Sequence, residues 1–393
     1  MLANFGIILL VLSPIVWGLD RKQVVDYAVK QYTKLDKTLK IGSQYPNDGS
    51  PESSTWRTTP GVKDQWTAGF YPGVLWQLYD YTKNEEWKRL AIKATDGLYE
   101  DQFKTDSHDI GFMIMCSYGK GYEFTANETY PKVIVTAAHS LAKRFSPIVG
   151  CTRSWGADYV HHLPLKGQFL VIVDNMMNLE LLLEGWRLSN NQTLYDMAVS
   201  HANRTLKEHV RHSDYSSYHI VAFNETTGAV IRRYQGQGYN DSSTWSRGQA
   251  WLVTGFTMVY RYTKSQHFLD AAQRLANYYI DHLPADGIAP WDFNVPHDKH
   301  PYIPRDSSSG AIAASGLFEL YGYTKNDRYL KTAKLIVESL ASSRYRADGN
   351  PAYKLPALIV NGTISGPNAQ KGKSDVALTY GDYYFMNALK YFA

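Results

Sequence analysis

The sequence predicts an all-α fold: one domain of about six helical hairpins, each of roughly 60 residues, closed into a barrel. Three observations predict it. A single motif recurs along the 393 residues: an apolar-periodic segment, a short polar turn, and a second periodic segment. Alternating patterns of the kind strands require are few. The connections between copies are long and rich in Trp and Gly, which favours a closed barrel with a site on its connections over an open solenoid.

The N-terminus reads LANFGIILLVLSPIVWG and then turns polar at LDRKQ. About fifteen apolar residues are too few to span a bilayer, and Gly18 follows Val16 at a spacing suited to signal peptidase. A signal peptide over residues 1–18, a single domain over 19–393 and secretion are therefore expected. No later segment is long enough to cross a membrane. Six N-x-S/T sequons support export: Asn127, Asn191, Asn203, Asn224, Asn240 and Asn361. The two cysteines, Cys116 and Cys151, fit either a disulfide or two buried free thiols.

The repeat is read from LYDYTKNEEWKRLAIKA (78–94), VYRYTKSQHFLDAAQRLA (259–276) and LYGYTKNDRYLKTAKLIV (320–337). They align Tyr81, Tyr262 and Tyr323, then Trp87, Phe268 and Tyr329, then Ala91, Ala272 and Ala333. A looser copy, LLEGWRLSNNQTLYDMAVSHA (182–202), reads as having two extra residues in its turn. Asn or Ser in each turn can cap the helix that follows. PKVIVTAAHSLAKRF (131–145) also has helical spacing. The exception is YHIVAFNETTGAVIRRY (218–234), where Thr-Thr-Gly between two β-rich runs predicts a small hairpin.

Composition narrows the function. With 44% hydrophobic and 20% charged residues the chain is globular. A net charge of +4 without a basic run argues against nucleic acid as partner. The 30 Tyr and 10 Trp suit helix packing and, in part, a wet pocket that stacks on a ligand. No Cys/His cluster suggests a metal, and no Walker loop suggests a nucleotide. GQGYND lacks the parallel βαβ surroundings of a dinucleotide site, and Ser307 to Ser309 lack the glycine pattern of a nucleophile elbow. No cofactor is expected.

Asp174 stands inside the apolar run VIVDNMMNLELLLEG, where a β-branched stretch gives way to a helical pattern. An ionised carboxylate in such a place is paired, protonated or used. As a helix cap it would be satisfied by backbone N–H groups, with its pKa lowered. As a functional group it would have its pKa raised by apolar surroundings, fit to act as an acid near neutrality. Asp109, after His108 in DSHDIGF, sits at a corresponding boundary with the same two readings. Two carboxylates in one pocket split their pKa values, the usual equipment of a glycosidase. Arg247, in TWSRGQAW between Trp245 and Trp251, has two readings as well. It can grip a substrate carboxylate with both prongs or tie buried helices together. His108 and His219 can hydrogen-bond a sugar, although a lone His is more often a satisfied structural residue; Trp66 and Trp155 can stack on a sugar or simply be core.

At these motifs the sequence resembles unsaturated glucuronyl hydrolases, glycoside hydrolase family 88. The matching stretches are WTAGFYPGVLW, HDIGF, VDNMMNLELL, STWSRGQAW, RDSSSGAIAASGL and the terminal YGDYYFMNAL, from about residue 60 to 392. The resemblance implies an (α/α)6 barrel and a hydrolase acting on the Δ4,5-unsaturated uronic acid that polysaccharide lyases leave at a non-reducing end. Such enzymes hydrate the C4=C5 vinyl ether. By match to VDNMMNL, Asp174 is implied to be the acid/base. By match to HDIGF, Asp109 is implied to be the second essential acid, holding up the pKa of Asp174. The resemblance also assigns substrate contacts to Arg247, Gln237, His108 and His219, and aromatic walls to Trp66, Phe70 and Trp155; Trp251 is a further candidate for substrate binding.

The signal peptide and sequons depart from the family's familiar bacterial members. The loop SGPNAQKGKSDV (364–375) carries Lys371 and Lys373, which would suit a sulfate on the leaving sugar or simply solvent. Fragments of chondroitin, hyaluronan, heparin, gellan, xanthan and ulvan all fit the implied substrate class. Three alternatives stand beside it. An unsaturated rhamnogalacturonyl hydrolase shares barrel and chemistry but typically keeps only the second acid motif. A polysaccharide lyase on a similar barrel would need a Tyr/His base pair. A sugar-binding protein would not need both acids.

Overall fold

The computed structural model describes residues 19–60, 66–125, 127–155, 168–366 and 373–392. The expected signal peptide and Lys371 lie outside the described residues.

The hairpins form two concentric layers. The inner layer consists of α2 (Phe70–Thr82), the broken helix α4 (Ile110–Ile114) and α5 (Lys120–Phe124), α7 (Asn175–Ser189), α9 (Ser246–Thr263), α11 (Ser307–Thr324) and α13 (Thr379–Leu389). A π-helical turn, Met115–Gly119, joins α4 to α5. The outer layer holds α1 (Arg21–Asp36), α3 (Glu85–Asp96), α6 (Thr129–Ala142), α8 (Gln192–Glu208), α10 (Gln266–Asp281) and α12 (Asp327–Leu340). Each inner helix packs on the next: α2 on the π turn, α4 on α7, then α7, α9, α11 and α13 in turn, and α13 back on α2. The ring is closed, as the connections predict.

Composition separates the layers. In α11 every residue from Ser307 to Phe318 is buried, and in α9 every residue from Ser246 to Val259. A helix enclosed on all sides needs small or apolar residues all round. The outer α10 instead buries one stripe, Phe268, Leu269, Ala271, Ala272, Leu275, Ala276, Tyr278 and Tyr279.

The repeated turn has a single geometry. Lys83, Asn190, Lys264 and Lys325 each end an inner helix in the left-handed region, with φ between 53° and 55°. The next residue, Asn84, Asn191, Ser265 or Asn326, opens the outer helix. The copy at 182–202 has the same turn length as the others, correcting the expectation of two extra residues. Its Asn190 stands where the others have Lys, and the tyrosines that set the alignment are absent.

The expected hairpin is present as β6 (Ile220–Asn224) and β7 (Val230–Tyr234), with Gly228 at φ +70° in its turn. An unpredicted strand, β5 (Gln168–Ile172), extends it into a three-stranded antiparallel sheet in which Ile172 pairs Ile220. The other strands are short: β1 (Tyr45–Gly49) lies between β2 (Arg57–Thr59) and β8 (Ala377–Leu378), and β3 (Phe145–Ser146) pairs β4 (Cys151–Thr152). Cys116 and Cys151 are both buried free thiols. Among the described residues no helix is long and apolar enough to cross a membrane.

Candidate active site

The three-stranded sheet delivers one acid and one histidine. β5 runs through Val173 into Asp174 at the start of α7, and His219 stands just before β6. The Val173 N–H donates to the His219 carbonyl at 3.1 Å, so the sheet's register sets the two side chains beside each other. Ser154 ties the second acid to the same sheet. Its N–H donates to the Leu170 carbonyl at 2.9 Å, and its own carbonyl accepts from the His108 N–H at 3.1 Å. His108 and Asp109 thus hang from the sheet's edge at the start of α4.

Asp109 and Asp174 both occupy the position where a helix cap would sit, yet neither carboxylate caps its helix. Asp174 Oδ2 is buried with no hydrogen-bond partner among the described residues, 3.6 Å from His219 Nε2. Asp109 Oδ1 lies 3.3 Å from His108 Nε2, while its Oδ2 accepts from Ser107 Oγ at 2.9 Å. The helix-cap reading of both acids gives way: their backbone N–H and C=O groups start the helices while their side chains face histidines.

The histidine tautomers follow from their other nitrogens. His219 Nδ1 accepts from the backbone N–H groups of Gly236 and Gln237 at 3.2 and 3.3 Å, so the proton resides on Nε2, toward Asp174. Burial pushes the His108 pKa below its ordinary value, with neighbouring Asp109 opposing. Asp109 is pushed above the usual carboxylate range, chiefly by burial; His108 and Ser107 oppose this and the charge of Asp174 adds to it. The coupling between the two acids is therefore felt at Asp109.

Gln237 connects His219 to Arg247, accepting from Arg247 Nη2 at 3.0 Å through Oε1. Arg247 is 2% exposed, and its guanidinium is engaged within the protein by Asp306, the Thr363 and Ile364 carbonyls, Ser308 and Gln237. Its face lies over the rings of Trp245 and Tyr380. These contacts answer to the second sequence reading, a buried arginine that joins separate segments, rather than to a fork left open for a ligand.

The three expected aromatic walls and the candidate contact Trp251 divide. Trp66 and Trp155 are half-buried; Trp66 packs on Phe70, Phe112 and Tyr380, and Trp155 lies edge-on to His108. Phe70 and Trp251 have no exposed surface, which corrects the expectation of Phe70 as a wall and of Trp251 as a substrate contact: they support the site from within the core. Sequence reasoning missed Asn178, Asp306, Trp245 and Tyr380. Asn178 had a usable signal, four residues after Asp174 and so on the same helix face. Asp306 had one too, as a cap residue before Ser-Ser-Ser.

Between the inner helices a cavity of about 110 Å³ is lined by Lys120, Glu180, Arg261 and Glu319 among others. Arg261 pairs with both Glu180 and Glu319, and Lys120 with Glu123, so each of these charges has a partner of opposite sign. No group of three or more His, Cys, Asp or Glu that could hold a metal occurs among the described residues.

Comparison with known proteins identifies the family. The unsaturated glucuronyl hydrolase of Formosa agariphila is 37% identical over 370 residues, covering 92% of this chain and 89% of that protein. The crystal structure of an unsaturated glucuronyl hydrolase specific for heparin matches with a TM-score of 0.86 at 35% identity, covering 95% of this chain and 96% of that one. That of the enzyme from Bacillus sp. GL1, described as responsible for the degradation of glycosaminoglycan, matches with a TM-score of 0.82 at 30% identity, covering 94% and 96%. The model of Glycosyl Hydrolase Family 88 matches residues 44–286, and over this span and these likenesses the chain belongs to that family.

Proposed function

We propose that the chain removes the Δ4,5-unsaturated uronic acid from the non-reducing end of lyase-generated oligosaccharides by hydrating its C4=C5 vinyl ether. The observation that carries this reading is the pair of non-capping carboxylates, Asp109 and Asp174, each faced by a histidine Nε2. The names of the relatives matching nearly the whole chain support it.

Asp174 gives a proton to C4. Positive charge then develops at C5 and is shared by the ring oxygen. Asp174, now a carboxylate, takes a proton from the water that adds at C5. The resulting hemiketal opens to a ketone at C5, and the hemiacetal left at C1 expels the remaining sugar. Burial raises the Asp109 carboxyl above the ordinary range and the charge of Asp174 adds to this, so the second acid is sensitive to the charge of the first. His219 and His108 fix the two carboxylates, and Trp66 and Trp155 offer ring surface to the sugar. No metal or cofactor enters the scheme.

The export reading is likewise a proposal: cleavage after residue 18 and secretion as a glycoprotein. Its support is that none of the six sequon asparagines is buried, Asn127, Asn203 and Asn240 being exposed.

The test is incubation with a panel of unsaturated disaccharides, following the ultraviolet absorbance of the conjugated enol. Loss of absorbance that falls by about 10²–10⁴-fold in Asp174→Asn supports hydration at Asp174. No loss with any member of the panel overturns the reading. A rise on intact polysaccharide would mean a lyase.

A further inference from the structure

We propose that Asn178 is a positioning residue for the acid pair: its amide holds His108 in the Nε2–H tautomer that faces Asp109, and it fixes the Asp109 helix against the Asp174 turn. The inference rests on the reaction proposed above for its kinetic arm only.

Asn178 is fully buried one helical turn below Asp174. Its Oδ1 accepts from the Phe112 backbone N–H at 2.8 Å. Its Nδ2 donates to the Asp174 carbonyl at 3.3 Å and to His108 Nδ1 at 3.4 Å. The amide's orientation follows from chemistry: a backbone N–H can only donate and a carbonyl can only accept, so oxygen faces Phe112 and the NH₂ group faces Asp174 and His108. A nitrogen facing an NH₂ donor must accept, which leaves the His108 proton on Nε2, 3.3 Å from Asp109 Oδ1. His219 reaches the same tautomer through backbone N–H groups, so both acids face an Nε2–H and only the Asp109 side depends on a replaceable side chain.

The same residue sets the spacing of the two helices. A Cβ built on Gly111 would lie 2.5 Å from Asn178 Oδ1 and 2.6 Å from its Cα, so α4 and α7 meet here with no room to spare. One side chain therefore touches the backbone behind both acids and the histidine of one of them.

Asn178→Asp tests this with almost no change of shape. The carboxylate keeps an acceptor for Phe112 but puts a second acceptor where the amide donated, so His108 must bring a proton to Nδ1. Side-chain ¹⁵N shifts, assigned by the signal lost in His108→Gln, should show Nε2–H in the wild type and a protonated Nδ1 in Asn178→Asp. With unsaturated disaccharide, kcat should fall by about 10²-fold while KM stays within about threefold, as expected of lost orientation rather than lost binding. Asn178→Ala should move the pH limb belonging to Asp109 upward, because Asp109 no longer faces an ordered N–H. A wild-type His108 carrying its proton on Nδ1, or an Asn178→Asp enzyme with wild-type kcat, overturns the inference. A wild type inactive on every disaccharide overturns the proposed reaction instead, and the ¹⁵N shifts still decide the role of Asn178.

Discussion

Arg247 Nη1 stands 2.6 Å from Asp306 Oδ2, and the two side chains keep 2% and 0% of their surfaces exposed. Asp306 also caps α11, its Oδ1 accepting from Ser308 N–H and Oγ and from the Thr363 N–H. The pair thus pins the start of α9 to the start of α11 and to the 363–364 segment, and through Gln237 to the loop beside His219. Removing one partner leaves the other charged and buried without its counter-ion, a loss of about 3–5 kcal/mol. Arg247→Met should lower unfolding free energy by that amount in urea titration. A direct grip on the substrate predicts the opposite split for Arg247→Lys: a raised KM at unchanged stability.

Gly111 admits no side chain. Adding one methyl drives it into Asn178, and overpacking of this kind costs about 1–3 kcal/mol, more than the helix propensity that Ala gains over Gly. Gly111→Ala should unfold at lower urea and lose activity at the same time. In a double-mutant cycle with Asn178→Ala the two effects should be coupled by about 0.5–3 kcal/mol. Additive effects would show that the close approach has no bearing on the site.

The barrel was legible because it repeats. Tyr-Thr-Lys followed by Asn or Ser marks a left-handed cap and then a helix start, and the same three residues at the same offset in three copies outweigh any single propensity. The copy ending at Asn190 was misread because the alignment leaned on tyrosines it lacks, while the backbone depends only on a left-handed residue followed by a capping one. The position of the acids was legible too: a lone Asp in an apolar run carries a cost that needs a reason. Whether each carboxylate capped its helix was not, since an Asp before a helix looks the same whether its side chain turns inward or away. β5 was hidden because QFLVI is buried on both faces and does not alternate. Phe70 was taken for a wall and Trp251 for a substrate contact because an aromatic residue near a motif gives no sign of its depth.

The outer-helix starts make a graded series. Asn84, Asn191 and Asn326 each accept a hydrogen bond from the N–H two residues on, whereas Ser265 makes no side-chain cap bond. Asn326→Ala should cost about 1 kcal/mol, within the usual range for a lost cap. Ser265→Ala should cost distinctly less. Thermal unfolding of the two variants side by side checks this, and equal losses would mean that the turn's backbone, not the cap, stabilises these starts.

Asp382 gives the stability a pH dependence that can be traced to one group. It is wholly buried on α13 and accepts from the Leu358 and Ile359 N–H groups and from Tyr32 Oη, with no cation among these partners. Burial, opposed by these hydrogen bonds, leaves its pKa raised to about 7. In the unfolded chain an Asp titrates near 4, so from about pH 4 to 7 the folded protein binds a proton that the unfolded chain has released. The contribution to stability is therefore fully present below the unfolded value and is lost as pH rises through the folded one, at up to about 1.4 kcal/mol per pH unit. Asp36, raised to about 6, and Asp101, raised to about 7, act in the same direction and persist in the variant. Asp382→Asn keeps an acceptor for the backbone N–H groups and carries no titrating proton. Urea titrations at pH 5, 6, 7 and 8 should then show the wild type losing stability faster than Asp382→Asn, by up to one proton's slope. Parallel curves would place the proton on another group.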